Sequence, residues 1–509
     1  VQLAHAAVGA PAVDVWVRGA AEPLVADLGY GVATGYFVLD VPTAPITIDV
    51  YPGDTPEADV IAGTATPVES LADFAPTMGS SWMVVAGTPS DPGDSVAPLI
   101  ALSEGWSAPP SASDALVRIV HAADAPTVGV DVYDPETEAA CEGTIEEPAL
   151  AAKTATSDAG VAVPGGRSVY VALCVPAAGG GGGNTVVTTF TAQLAAGDTA
   201  YVIASGLANQ VRAREADALR LLVADGAPTA VAGAMGDIAQ DPVLWVLRGQ
   251  NRGGTNDVCV DRGSGPELIE AWEDLRYGGL GAGQRVPADA VLALSLHIDE
   301  NGGGDCQTGG MFGPYDLGEL DLGDPTTGIA RGDAALLLIT GDSNENNPAG
   351  PDYIHFDVVV EDTAAPATGT SRMIFAHGGA IGVPEVDAGA QELSAADLGT
   401  FVDVPTYGRS GPGGESVNPS DSGVGPARQY RLLVAPSTEA GLDAGSTPRV
   451  AFAGLVIPGD ARLIGAIHGP VNPNSPDWRA LRFDLLDVSG GDLAWEKAID
   501  QIAGQAPTP

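Results

Sequence analysis

Val1-Gln2-Leu3-Ala4-His5 opens the chain, and its likeness returns three times: Val117-Arg118-Ile119-Val120-His121, Leu244-Trp245-Val246-Leu247-Arg248 and Met373-Ile374-Phe375-Ala376-His377. The copies lie roughly 115–130 residues apart, the size of one β-sandwich. Each copy is followed by further landmarks in the same order. Three repeats place an aspartate inside an alternating strand, at Asp14-Val15-Trp16, Asp131-Val132-Tyr133 and Asp257-Val258-Cys259. Two then carry a Gly/Tyr turn, Leu28-Gly29-Tyr30-Gly31 and Leu275-Arg276-Tyr277-Gly278. Late in every repeat a tight turn precedes an apolar strand: Gly79-Ser80, Gly197-Asp198, Gly332-Asp333 and Gly459-Asp460.

Strands such as Ile46-Thr47-Ile48-Asp49-Val50 alternate apolar and polar residues, which suits a sheet with one buried face. With 68 glycines, 40 prolines and 5% aromatics, the composition fits short strands and many turns. The reading is an all-β chain of four tandem immunoglobulin-like antiparallel β-sandwich domains. They span residues 1–110, 111–235, 236–365 and 366–490, each with its own apolar interior. Stretches rich in Pro, Ala and Ser, Ser107 to Asp114, Gly226 to Pro242 and Asp362 to Thr370, read as linkers. The tail, 491–509, reads as a short C-terminal helix with Trp495, Ile499 and Ile502 on one face, either capping the last domain or docking on a partner.

The segments HAAVGAPAVDVWVRG at 5–19 and HAADAPTVGVDVYD at 121–134 resemble the opening motif of domain of unknown function 4397, a bacterial family of secreted and surface proteins. In the fourth repeat His377 is followed by Gly378-Gly379, and in the third the histidine is absent, with Gly249 near its place. The resemblance implies tandem extracellular immunoglobulin-like sandwiches and carries no activity or functional residues.

Charge narrows the function. With 66 acidic against 22 basic residues the net charge is −44, and only Lys153 and Lys497 are lysines. Nucleic acid and anionic membrane surfaces repel such a chain. The bias resembles that of proteins working in concentrated salt. No apolar run approaches the ~20 residues of a membrane helix, and the chain opens on a strand, so the expectation is a secreted or cell-surface protein whose leader has been removed.

Cys141 and Cys174 fall in one repeat and Cys259 and Cys306 in the next, none in a CxxC pair. Three connectivities exist for four cysteines; pairing within repeats needs no contact between them and is the expectation. Asp342, Asn344 and Asn346 present oxygens at alternating positions, a candidate calcium site lacking the glycine and closing glutamate of a helix-loop-helix calcium loop, and alternatively a solvated loop. The residues from Asp299 to Asp305 form a second oxygen-rich turn of the same kind. The recurring histidines read as strand-end residues bonding a nearby turn, and Arg331-Gly332-Asp333 reads as a turn.

No GxSxG elbow, P-loop or dinucleotide fingerprint occurs. The sequence therefore reads as non-enzymatic and without a cofactor, calcium aside. It describes a rod or a subunit of a filament or surface layer, with self-association or another surface protein as partner. The alternatives are an adhesion module binding carbohydrate, for which Trp16, Trp82 and Trp106 are the candidate aromatics, and, more remotely, an accessory domain of a secreted hydrolase.

Overall fold

The computed structural model describes the chain apart from residues 40–43, 90–97, 136–137, 143–144, 177–183, 208–216, 228, 250–254, 263–265, 270–271, 276–278, 300–305, 307–313, 342–352, 362–369, 379–385, 393–401, 405–407, 410–414, 418–428, 437–449, 457–460, 469–481, 489–497 and 504–509. The chain is nearly all β; Glu57–Ala62 is the one α-helix among the described residues.

Each repeat is a pair of sheets with one topology. In the first, a front sheet orders Val32–Ala33, Gln2–His5, Trp82–Ala86 and Ile100–Ser103. A back sheet orders Val25–Leu28, Val13–Val17, Ile46–Pro52 and Glu69–Phe74. The opening strand of every repeat runs parallel to the late apolar strand, pairing Leu3 with Val84, Val117 with Ala200, Leu244 with Ala335 and Met373 with Leu463. The other strand pairs within the sheets are antiparallel. One parallel pair per repeat follows from chain order, since a parallel neighbour needs a crossover, here the excursion through the back sheet.

The first three sandwiches each enclose a separate apolar interior, and their front sheets also carry apolar side chains on the outer face. The chain forms two compact units, Val1–Asp241 and Pro242–Pro509, each holding two sandwiches. In the first unit, Leu3, Val84 and Ala86 face the first interior, while Ala4, Met83 and Val85 join Val120, Tyr201 and Ile203 of the second sandwich in one apolar seam. The second unit repeats this: Leu244, Leu337 and Ile339 face the third interior, whereas Trp245, Leu336 and Leu338 meet Ile374, Ile464 and Ala466 of the fourth sandwich. A front sheet with both faces covered requires unbroken apolar runs. Tyr201-Val202-Ile203-Ala204 and Leu336-Leu337-Leu338-Ile339 are such runs, whereas Ile46 to Val50 of a back sheet alternates.

Two expectations are corrected. The stretch Gly226 to Pro242 is not a free linker. Gly233–Ala234 pairs with Val32–Ala33 of the first sandwich, and Gly236–Ile238 pairs with Leu221 to Val223 of the second. Residues 236–241 thus belong with the second sandwich. The tail is not a helix: Ala498–Ala503 is a strand pairing with Arg482–Asp487. Ile502 pairs with Phe483 and Ile499 with Leu485, so a three-residue spacing opposes a two-residue one across a register shift. A bulge thereby accommodates the spacing that reads as helical, and ladder bonds to an open edge outweigh weak local helix propensity. Trp495 lies outside the described residues.

Candidate functional site

The residues that recur in the sequence are consumed by local architecture. Asp14, Asp131 and Asp257 each accept a hydrogen bond from a backbone N–H, that of Asp27 (2.8 Å), Cys141 (2.6 Å) and Asp274 (2.8 Å). All three donors are non-glycine residues in the left-handed region, at φ 53°, 64° and 52°. A buried carboxylate thus pins a strained backbone position in three sandwiches, and burial raises the Asp131 pKa.

The late turns work alike. Gly79, Gly197 and Gly332 adopt positive φ, and Ser80, Asp198 and Asp333 accept from the N–H three residues earlier, on Thr77, Ala195 and Ala330. Arg331-Gly332-Asp333 is such a turn.

At the end of the opening strand, His5 and His121 are buried, and their Nε2 atoms bond the carbonyls of Pro11 (3.0 Å) and Pro126 (2.9 Å). Burial lowers both pKa values. Arg248, not Gly249, holds the equivalent register in the third sandwich; it is fully buried, donates to Leu275 O at 2.8 Å, and burial lowers its pKa to about 10. His377 holds it in the fourth, fully buried and with no ring partner among the described residues.

The cysteines pair as Cys141–Cys174 and Cys259–Cys306, each within one sandwich. Closing loops of 33 and 47 residues contributes about 4 kcal/mol each in the chain-entropy account. Cys141 and Cys174 join Tyr133 and Ala172 in a small apolar cluster apart from the sandwich interior. Asp131 lies beside that bridge, but sulfurs bonded to each other offer no thiolate to a metal, and its carboxylate already holds the Cys141 N–H. Asp342, Asn344 and Asn346 lie outside the described residues, as do residues 300–305.

The structure draws together a polar site that sequence reading missed, at the two ends of the seam in the first unit. At one end Glu104 accepts from the hydroxyls of Tyr36, of its own sandwich, and Tyr201, of the next (2.6 Å). Burial and the facing carboxylate push both tyrosine pKa values up. Trp106 meets the Tyr201 ring edge-on at 5.2 Å, and the Arg118 guanidinium lies 5.9 Å over that ring. At the other end Thr88 of the first sandwich donates its N–H to Ala122 O of the second, and Ser205 Oγ donates to Ala6 O. There Lys153 Nζ donates to the carbonyls of Thr88, Ala122 and Ala123. The one available signal was rarity, since Lys153 is one of two lysines. Trp16 is buried and Trp106 packs into the seam, while Trp82 meets Phe74 edge-on.

Residues 1–133, the first sandwich and the opening of the second, match the family described as Domain of unknown function (DUF4397). No curated protein matches the chain. Among solved structures, "The Bacillus anthracis TIE protein" is 6% identical over 88% of this chain and 80% of that one, with a TM-score of 0.14, a likeness too low to carry an argument. No helix among the described residues is long and apolar enough to cross a membrane.

Proposed function

We propose that this chain, whose residues 1–133 match the DUF4397 family, is a secreted or cell-surface structural protein, a subunit of an extracellular filament or surface layer. One observation carries the reading: the residues that recur between repeats are buried, and most of those described bond local backbone. Asp14, Asp131 and Asp257 pin strained backbone, and His5 and His121 close corners. A repeat multiplied for ligand capture would instead present its recurring side chains to solvent.

Sandwiches cemented in pairs, with disulfides in two of the four, make stiff building blocks. Open sheet edges are the means by which such blocks add to one another. The strong negative charge keeps the blocks apart in dilute salt and admits cation-dependent association. A glycan-binding reading needs aromatic rings open to solvent, and Trp16 and Trp106 are engaged in packing.

Light scattering and negative-stain images over a concentration series, with and without calcium, test the proposal. Ordered oligomers or filaments are expected as concentration rises; monomers throughout would overturn it.

A further inference from the structure

Lys153 occupies a position that glycine would fill without strain. Its backbone lies at φ 62°, and its N–H donates to His121 O at 2.7 Å. The corresponding residue of the first sandwich is Gly31, at φ 74°, with its N–H on His5 O at 2.9 Å. A side chain there costs on the order of 1 kcal/mol of backbone strain, so its retention asks what the ammonium does.

The ammonium enters a nest of three backbone carbonyls drawn from both sandwiches: Thr88 O at 2.5 Å, Ala123 O at 3.1 Å and Ala122 O at 3.2 Å. Thr88 is fixed there by its own N–H on Ala122 O (2.8 Å), while its hydroxyl meets Ala6 O (3.3 Å) and the N–H of Gly206 (3.1 Å). Converging carbonyl dipoles held by the fold, with the Asp124 charge acting on the ammonium from beyond hydrogen-bond contact, favour a compact cation. A planar guanidinium, which spreads its donors in a fork, does not match three oxygens about one point.

We propose that the seam between the first two sandwiches contains a carbonyl cage for a small monovalent cation, which the Lys153 ammonium fills from within the chain. The accepting oxygens come from Thr88 of the first sandwich and Ala122 and Ala123 of the second, so the cage exists only while the two are docked, and the cation holds them together. Emptied of its lysine, the cage takes a free ammonium or alkali ion.

The test uses the full chain with Lys153→Gly, which removes the ammonium and the strain at once. Thermal unfolding of the Val1–Asp241 unit is expected to shift to lower temperature despite the relief of strain. Ammonium chloride is expected to restore it, and tetramethylammonium chloride at equal ionic strength to restore no more than it gives the native chain. The paired salts separate cage binding from the screening that any chain of charge −44 enjoys. A variant as stable as the native chain, or equal recovery in both salts, overturns the proposal.

Native protein supplies a second measurement that needs no variant. Burial lowers the Lys153 pKa and so favours the neutral amine. Acylation of that amine, read by mass spectrometry, is nonetheless expected to be at least about tenfold slower than that of a free lysine amide, because the buried amine must leave its three carbonyls to meet the reagent. An equal rate would also overturn the proposal.

Discussion

The two seams share a topology and differ in what fills them. The first has five alanines, Ala4, Ala6, Ala33, Ala122 and Ala224, interspersed among larger residues such as Met83, Leu102, Tyr201, Ile203 and Leu222. The second is built from Trp245, Leu247, Leu336, Leu338, Ile374 and Ile464. Alanines let main chains approach, and in the first seam they do: Ser205 reaches Ala6 O, Thr88 reaches Ala122 O, and Lys153 ties both sandwiches. Larger side chains bury more apolar area per residue. The first seam thus adds main-chain and side-chain hydrogen bonds to its apolar contacts, and the second places large side chains such as Trp245, Leu336 and Leu338 at its contact.

The largest test of that contrast is Trp245→Ala. Trp245 is 2% exposed and lies over Gly283, where an added Cβ would come within 2.6 Å of the indole. Removing so large a buried side chain costs about 3–5 kcal/mol. Calorimetry is expected to show the transition of the Pro242–Pro509 unit falling steeply while that of Val1–Asp241 stays in place. A small loss confined to a few tenths of a kcal/mol would refute apolar bulk as the basis of the second seam.

Acid distinguishes the units next. Burial lowers the His377 pKa to about 4, outweighing the opposing charge of Asp357. The unfolded chain takes up a proton near pH 6.5, the folded one only near 4, so stability is full above 6.5 and declines as pH falls towards 4. The loss amounts to about 3 kcal/mol by the usual conversion. His5 and His121 move the same way, but their proline carbonyls favour the protonated ring and temper the effect. Thermal unfolding between pH 7.5 and 4.5 is expected to weaken the second unit more, and His377→Leu to remove that excess. An unchanged slope in His377→Leu would show that other groups carry the acid response.

How far the sequence reveals this arrangement depends on the range of the interaction. The repeat landmarks are legible because their causes are local: a glycine that tolerates positive φ at Gly197, and an aspartate three residues from the N–H it caps at Asp198. The pairing of Cys141 with Cys174 follows from repeat boundaries alone. The seams are written less directly, in the contrast between the unbroken run Leu336-Leu337-Leu338-Ile339 and the alternating Ile46 to Val50. An unbroken run says that both faces are covered, though not by what. The tail misleads because Ile499 and Ile502 stand three apart, a helical interval that a register shift makes acceptable to a strand. Glu104, Tyr36 and Tyr201 are silent in the sequence: residues 104 and 201 come from different sandwiches, and only docking brings them together.

That triad supplies the finest test. Tyr36 and Tyr201 both donate to the Glu104 carboxylate, one from each side of the seam. If the cluster holds the sandwiches together, the Tyr201 bond is its short link between them, while Tyr36 orients the carboxylate and makes a longer contact of its own across the seam, 3.4 Å to Gly226 O. Tyr201→Phe is then expected to cost about 1.5–3 kcal/mol, the range for a hydrogen bond to a charged group. Tyr36→Phe, leaving Glu104 with its cross-seam partner, is expected to cost about 1 kcal/mol. The double variant should lose less than the sum, because a carboxylate freed of both donors turns towards water. Strict additivity in that cycle, read from urea unfolding of the Val1–Asp241 unit, would mean that the two hydroxyls act independently and that the ordering of Glu104 plays no part in closing the first seam.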